Sequence, residues 1–466
     1  MTATLPARSR SASVVRSIAT SMVTVWAAFV LSHLWLGLIN LYAPGLPLGD
    51  VSIVYKFWMD QALVANFWVG IDSVWVYPIV ALLPMIAAYA FGPDQYASTW
   101  LSMVMILNAV AFGFLTGWGR SRERIAVAWW WVAFLVLLGP IALGRIDSVT
   151  VPLAMIGVLL IARAPAVATV VLTVATWIKV WPAALIGAAV ITLRGRLRIV
   201  AAALLSSAFI LIVAVSLGSG GNVFSFITQQ TGRGLQIEAP VSTFWLWQAA
   251  AGVPGSFVYY DQRILTFQVS GAGVEVASAV MTPLLVLAML AVALLGVRAT
   301  RAGVAAGDLL PPLTLAFVTA LIAVNKVGSP QFVSWLAVPV VLGLATQAAG
   351  FGRSFRTPAI MALVIAALTQ LIYPYLYTSL LLVQVPILIV LAGRNAMMFV
   401  LLGWAIWAVI TAPRTGPLDV EEGDEGDDWL GAVWPLDRDP SELSTSTTAP
   451  STRVPSTSVL STTTRE

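Results

Sequence analysis

The chain has 466 residues, 59% of them apolar and only 10% charged, with a net charge of +4, no cysteine and a single histidine. Its mean hydropathy is +0.90, whereas a soluble domain carries about 25% charged residues, so a soluble globular fold is excluded. The missing cysteines exclude disulfides, thiol catalysis and thiolate metal sites. One histidine excludes multi-histidine metal centres and disfavours a histidine-based triad.

The charge is unevenly spread. From Leu418 onward the chain holds eleven acidic and three basic residues, which leaves 22 basic and 10 acidic residues in the body. That excess matches the positive-inside bias of membrane topology rather than a nucleic-acid patch.

Residues 1–17 are polar, carry Arg8, Arg10 and Arg16, and read as a cytoplasmic N-terminal segment. The apolar segment from Ile18 to Leu41 reaches the roughly 20 residues that a span needs. It is too long for a signal-peptide core and lacks an Ala-x-Ala end. His33, inside it, reads as a hydrogen-bonded helix residue. The chain then emerges at Tyr42-Ala-Pro44-Gly-Leu-Pro47, a break rich in turn residues. From Asp50 to Phe67 apolar residues recur at helical spacing, which predicts an amphipathic helix on the outer surface with Trp58 and Phe67 as interfacial anchors. Asp50 has two readings, an N-cap of that helix or a catalytic carboxylate.

The segment from Val74 to Gly92 is apolar but short, and Pro78 and Pro84 interrupt it. As a full span it would put Arg120, Arg122 and Arg124 outside; as a re-entrant hairpin it keeps them inside, and the arginines favour the hairpin. Spans follow at Ser98–Trp118 and Ile125–Leu143, with Gly144 to Ser148 as an outer loop and a return to Arg163. The stretch from Ala166 to Leu193 has arginine on both flanks, so it must run up and down, with Lys179-Val-Trp181-Pro182 at the outer apex. Ile199–Leu217 leads out to the longest polar stretch, about 218–271. The next span returns to Arg298 and Arg301, another goes out to Asn325-Lys326, and another returns to Arg353 and Arg356. Three more apolar segments are expected, broken at Tyr373 to Tyr377 and at Arg394-Asn395. The whole predicts an all-α polytopic integral membrane protein over 18–412, with about 12–13 spans and added outer-surface amphipathic and re-entrant helices. The tail, 413–466, is an acidic run followed by Ser, Thr and Pro, and is expected to be disordered.

This topology puts nearly all the arginine inside. It places Asp50, Arg145, Asp147, Lys179, Arg233, Glu238 and Lys326 outside, where cations run against the bias. Lysine and arginine beside aromatics at a membrane face suit a lipid phosphate, while snorkelling toward headgroups is the plainer reading of each one alone. Sugar transfer from a lipid phosphate needs a carboxylate to take the acceptor proton and cations for the leaving phosphate. Asp50 is the candidate base, and Arg233, Lys179 and Lys326 are expected to converge on one outer cavity. The lipid carries the sugar, so no cofactor is expected. No metal-ligand spacing appears, since Asp60, ten residues from Asp50, lies roughly 15 Å along a helix. No Walker A, GxSxG or HExxH string is present.

Four strings carry a family resemblance. They are Asp50 with Tyr55, followed by Tyr77-Pro78; Gly144-x-x-Asp147-Ser; Thr176-Trp-Ile-Lys179-Val-Trp-Pro182; and Gly232-Arg233-Gly234-Leu-Gln236-Ile-Glu238 with Ser329-Pro-Gln331-Phe-Val-Ser-Trp335. Together they resemble the polyprenyl-phosphate-dependent glycosyltransferases of the GT-C superfamily. The similarity is greatest to glycosyltransferase family 87, which includes actinobacterial mannosyltransferases of glycolipid and lipoglycan synthesis. The chain departs from the family at Tyr77-Pro78-Ile79, often Tyr-Pro-Pro, and at Gly144-Arg145-Ile146-Asp147, often Gly-Gln-x-Asn. The resemblance implies inverting transfer of mannose from a polyprenyl-phosphate donor to a glycolipid or lipoglycan, with Asp50 as base. It also implies substrate contacts from Tyr55, Tyr77, Arg145, Asp147, Gln236, Glu238 and Gln331, and a plasma-membrane site facing outward. Some relatives resemble arabinosyltransferases. A lipid-linked sugar flippase would use the same cations without needing Asp50, and a secondary transporter would show inverted repeats, which the sequence lacks.

Overall fold

The computed structural model describes residues 20–414. The N-terminal segment 1–17, expected to be cytoplasmic, and the tail from 415 onward, expected to be disordered, lie outside the described residues.

Within them the chain is mostly helical, as its apolar composition demands: in hydrocarbon each backbone N–H and C=O must find an internal partner. Nine helices are long and apolar enough to cross a membrane among the described residues. They include α1 (Met22–Tyr42), α4 (Tyr96–Thr116), α5 (Ile125–Leu138), α9 (Arg196–Ser216), α12 (Val274–Arg301), α13 (Ala306–Ala323), α14 (Ala337–Ala348), α15 (Arg356–Gln370) and α17 (Val385–Ile410), some extended by flanking turns. Between them come α2 (Lys56–Val64), α3 (Leu82–Ala88), α6 (Asp147–Leu160), α7 (Pro165–Ile178), α8 (Ala183–Thr192), α10 (Ser225–Thr231), α11 (Thr243–Ala250) and α16 (Tyr377–Leu381).

Three differences from the sequence reading have physical causes. The expected 12–13 spans become nine of full length because α6, α7 and α8 have only 14, 14 and 10 residues. α7 and α8 form the expected pair about the Lys179–Pro182 break. Next, Arg394-Asn395 does not interrupt a span: α17 runs through it unbroken, because Arg394 meets a buried partner rather than the membrane surface. Finally, the polar stretch is not all helix. β1 (Phe257–Asp261) and β2 (Thr266–Ser270) form an antiparallel hairpin with Tyr259 opposite Gln268. The segment 74–92 forms only a 3-10 turn and α3, without a full span.

The core is built on α6, α13 and α14. α13 packs against α8, α12 and α17, while α6 packs against α4, α7 and α14. In α13 and in the segment 330–348, 83% of the most apolar window is inside the bundle, against 11% in α9 and 17% in α12, so the latter two form the lipid-facing rim. Pro311 and Pro312 lie inside α13 and take amide donors from the helix ladder. The Thr314 hydroxyl turns back onto the carbonyls of Leu310 and Pro311, at 2.9 and 2.8 Å.

Loops sort to two ends. At one end Ser219 Oγ donates to Gly70 O at 2.6 Å, Arg145 Nη1 to Pro47 O at 2.7 Å, and Gln236 N to Lys326 O at 3.1 Å. At the other, Thr300 Oγ1 donates to Ile191 O at 3.1 Å, and Arg353 Nη2 donates to Thr411 O at 3.0 Å. The residues expected outside thus gather at one end, and the arginine-rich turns at the other. His33 is buried in α1, with Nδ1 2.9 Å from Phe29 O.

Candidate functional site

The polar end holds two connected layers. The first begins at Asp50, which opens a wide, π-helical turn, Asp50–Tyr55, running into α2. Gly49, not Asp50, occupies the N-cap position of this turn, which removes the N-cap reading. Its Oδ2 lies 2.9 Å from Arg145 Nε, and the Asp50 side chain is 40% exposed where that of Arg145 is 8%. Arg145 is fixed on every side. Its Nη1 donates to Pro47 O and Gly144 O, both at 2.7 Å, and its Nη2 donates to Tyr373 Oη at 2.8 Å. Glycine at 144 suits this close approach, since a Cβ there would sit 2.9 Å from Asn40 Oδ1 and 3.0 Å from Pro47 O. Burial opposes the Arg145 charge, but Asp50 and Tyr373 outweigh it and push its pKa above the usual arginine value. Arg145 is thus fixed by Pro47, Gly144 and Tyr373 and holds Asp50 in place.

Tyr55 and Tyr77 connect this layer to the next. Ile146 N donates to Tyr55 Oη at 3.2 Å, and the two phenol oxygens stand 3.4 Å apart. Trp58 packs on Tyr55, Trp75 and Tyr77 at centroid distances of 5.8, 5.5 and 6.1 Å, so it braces the phenols instead of anchoring in the interface. The Tyr77 phenol is pushed above its usual pKa by burial and then by Asp50 and Asp147, while Arg233 pulls it down. It stands where the fields of both layers meet.

The second layer is a cavity of ≈ 480 Å³ that Tyr77, Lys179, Arg233, Lys326, Gln331 and Trp335 line at its polar end. Met281, Leu285 and Met289, successive positions on one face of lipid-facing α12, line its apolar wall. The three expected cations do converge here, but they are not equivalent. Lys179 Nζ lies 2.7 Å from Asp147 Oδ2 and faces the rings of Phe332, Trp335 and Tyr77 at 4.9, 5.8 and 5.9 Å. Asp147 is 1% exposed, and its Oδ1 accepts from Trp335 Nε1 at 2.6 Å. Lys179 and Asp147 thus form a closed, neutral pair. Arg233 has no ion pair among the described residues, and its buried Nε has no hydrogen-bond partner. Burial lowers the pKa of Arg233, and that of Lys326 is lowered by burial and then by the charge of Arg233. Two like charges therefore press on each other across the cavity.

Glu238 stands apart. It is buried against Arg394, with Oε2 2.7 Å from Nη1, and does not line the cavity. Gln236 is also outside the lining; its Oε1 accepts from Ser329 Oγ at 3.4 Å. These two serve the loop that carries Arg233: a Cβ on Gly328 would collide with the backbone of Ala239, so the 325–329 and 236–239 turns touch directly. Asp50 is likewise outside the cavity lining, one layer back across Tyr55 and Tyr77. The sequence reading missed Arg394, Tyr373 and the ring cage of Phe332 and Trp335. A charged residue within an apolar run was the signal for Arg394. Asp60, the other acid weighed beside Asp50, is taken by Lys56 at 2.7 Å and by Tyr89 Oη at 2.9 Å. Among the described residues no three Asp, Glu or His side chains come together as a metal site.

Comparison of the chain with protein-family models, with curated proteins and with solved structures finds no match to any of them.

Proposed function

We propose that the protein is a membrane glycosyltransferase that moves a mannosyl residue from a polyprenyl-phosphate donor to a glycolipid or lipoglycan at the outer face of the plasma membrane. The observation that carries this reading is the meeting of Arg233 and Lys326 in a cavity walled on one side by the apolar stripe of α12. Arg233, with its Nε buried and no ion pair among the described residues, is costly without an anion, and a phosphate ester of a long hydrocarbon satisfies both ends of this cavity.

Asp50 is the base in this reading. It is more exposed than Asp147 or Glu238, and those two acids are already held by Lys179 and Arg394. Asp50 takes the proton of the acceptor hydroxyl, and the oxygen attacks the anomeric carbon. The bond to the phosphate oxygen breaks on the opposite face, and its electrons leave with the phosphate, whose growing charge Arg233 and Lys326 meet. Purified protein given polyprenyl-phosphate-mannose and a mannosylated lipid should form a lipid one sugar longer. Failure with both the mannosyl and the arabinosyl donor would remove the transferase reading, and donor binding without transfer would leave a lipid carrier.

A further inference from the structure

A second cavity, ≈ 680 Å³ in volume, lies between the loop and helix at 66–86 and the rim helix α9. Its α9 wall includes Phe209, Ile210 and Val213, with Leu217 just past the helix end, on one face of a helix that points mostly outward from the bundle. Leu83 and Ile86 of α3 face them. Its polar end carries Asn66, Trp68 and Asp72, and no lysine or arginine lines it. Asp72 Oδ2 accepts from Trp68 N at 2.7 Å, which leaves Oδ1 open.

The two cavities share a partition one chain segment thick. Val76, Tyr77 and Pro78 line the first, and the next two residues, Ile79 and Val80, line the second. Their charges differ in sign: cations at the polar end of the first, a lone carboxylate at that of the second. An apolar wall gives water too few partners to stay, and α9 opens this space to the bilayer. We infer that the second cavity holds the hydrocarbon chain of a membrane lipid whose headgroup is uncharged and hydroxyl-bearing. The hydroxyl donates to Asp72 Oδ1, and an anionic headgroup is repelled by the same carboxylate. The inference does not depend on sugar transfer; it needs only a bilayer around α9.

The test uses the full-length protein in nanodiscs doped with a diazirine-bearing acyl chain, on diacylglycerol in one arm and on phosphatidic acid in the other. Crosslinks are mapped by peptide mass spectrometry. Diacylglycerol should label 79–86 and 209–217 about tenfold more than phosphatidic acid, the ratio that about 1.4 kcal/mol sets. It should also label them above the outward-facing Phe399 and Val400 of α17, which line neither cavity and report ordinary surrounding lipid. Ile210→Trp fills the cavity and should remove the excess without changing the labelling at Phe399 and Val400. Asp72→Lys, at an exposed position, should turn the preference toward phosphatidic acid and keeps the test decisive should the tryptophan variant misfold. Equal labelling by the two headgroups, labelling no denser than at Phe399 and Val400, or a preference unmoved by Asp72→Lys would overturn the inference.

Discussion

Glu238 Oε2 and Arg394 Nη1 are 2.7 Å apart, their side chains 2% and 5% exposed, and they join the loop behind Arg233 to the middle of α17. Arg394 Nη2 also donates to Glu238 O at 2.9 Å, and its Nε and Nη2 both reach Asn395 Oδ1. Burial pushes the Glu238 carboxyl above its usual pKa, and Arg394 pulls it back. Arg394→Met leaves that carboxyl buried without its partner and should cost about 3–5 kcal/mol of stability. The double variant Glu238→Gln/Arg394→Met should recover most of the loss. Thermal unfolding in detergent measures both, and a single-variant loss as small as that of a surface pair, about 0.5 kcal/mol, would show that the pair does not hold the loop.

That pair also shows where the sequence stopped being legible. Hydropathy and arginine placement located the long spans and the Lys179–Pro182 apex, though not the shortness of α6, α7 and α8, because each of the former is a local property of a window of chain. Arg394 looked like an exit from the membrane since nothing nearby answers its charge; its partner is 156 residues away. In the same way nothing in the sequence showed that Lys179 is paired with Asp147, 32 residues away. The convergence of Lys179, Arg233 and Lys326 was readable because all three sit at turns on one side of the membrane. The hairpin was missed, although Phe257-Val-Tyr-Tyr and Thr266-Phe-Gln-Val are rich in aromatic and β-branched residues around a short polar turn.

The two kinds of cation at the cavity should separate in mutation. Lys179→Met strands the buried Asp147 carboxylate and should cost about 3–5 kcal/mol of stability. Arg233→Gln removes a charge that only Lys326 and burial work against, so stability should hold or rise. Donor affinity should meanwhile fall by about 2–5 kcal/mol. Unfolding midpoints and donor-binding isotherms on the same preparations decide it. Equal destabilisation by both variants would place Arg233 in the scaffold.

Donor binding should weaken with rising pH. Burial, and then Arg233, place the Lys326 ammonium below the ordinary lysine value, which is about 10.4. Only the protonated form attracts phosphate, and the bound anion raises the pKa again. Affinity is therefore full below the free-state pKa and declines as pH rises from the free-state to the bound-state value. Lys326→Arg keeps its charge throughout this range and should flatten the alkaline limb. A wild-type profile flat to about pH 10 would remove Lys326 from the grip.

The membrane orientation has a direct readout. The arginine-rich turns near 120–124, 194–198 and 298–301 should face the cytoplasm, with 42–95 and 218–271 outside. The chain has no cysteine, so single cysteines report without background. Both Arg122 and Arg263 are exposed. An impermeant thiol reagent applied to intact cells should label Arg263→Cys and spare Arg122→Cys, and the reverse pattern would invert the whole arrangement.

Asp50 carries the sharpest prediction. Asp50→Asn keeps the shape of the side chain and an acceptor for Arg145, but it cannot take a proton at neutral pH. Transfer should fall by roughly 10²–10⁴-fold. Donor binding should survive, because Arg233 and Lys326 lie on the far side of Tyr55 and Tyr77. Stability should drop by only about 1 kcal/mol, the scale of one hydrogen bond, since Asp50 is partly solvated while Arg145 keeps Pro47, Gly144 and Tyr373. Arg145→Met separates orientation from proton transfer. It leaves the carboxylate in place without its guide, so the rate should fall less than in Asp50→Asn, and the residual activity should still vanish when Asp50→Asn is added. Full activity in Asp50→Asn, measured on protein that unfolds at the wild-type temperature, would take the base away from Asp50. Asp147 would then be the next acid to test, despite its commitment to Lys179 and Trp335, because its partner Lys179 lines the same cavity as Arg233.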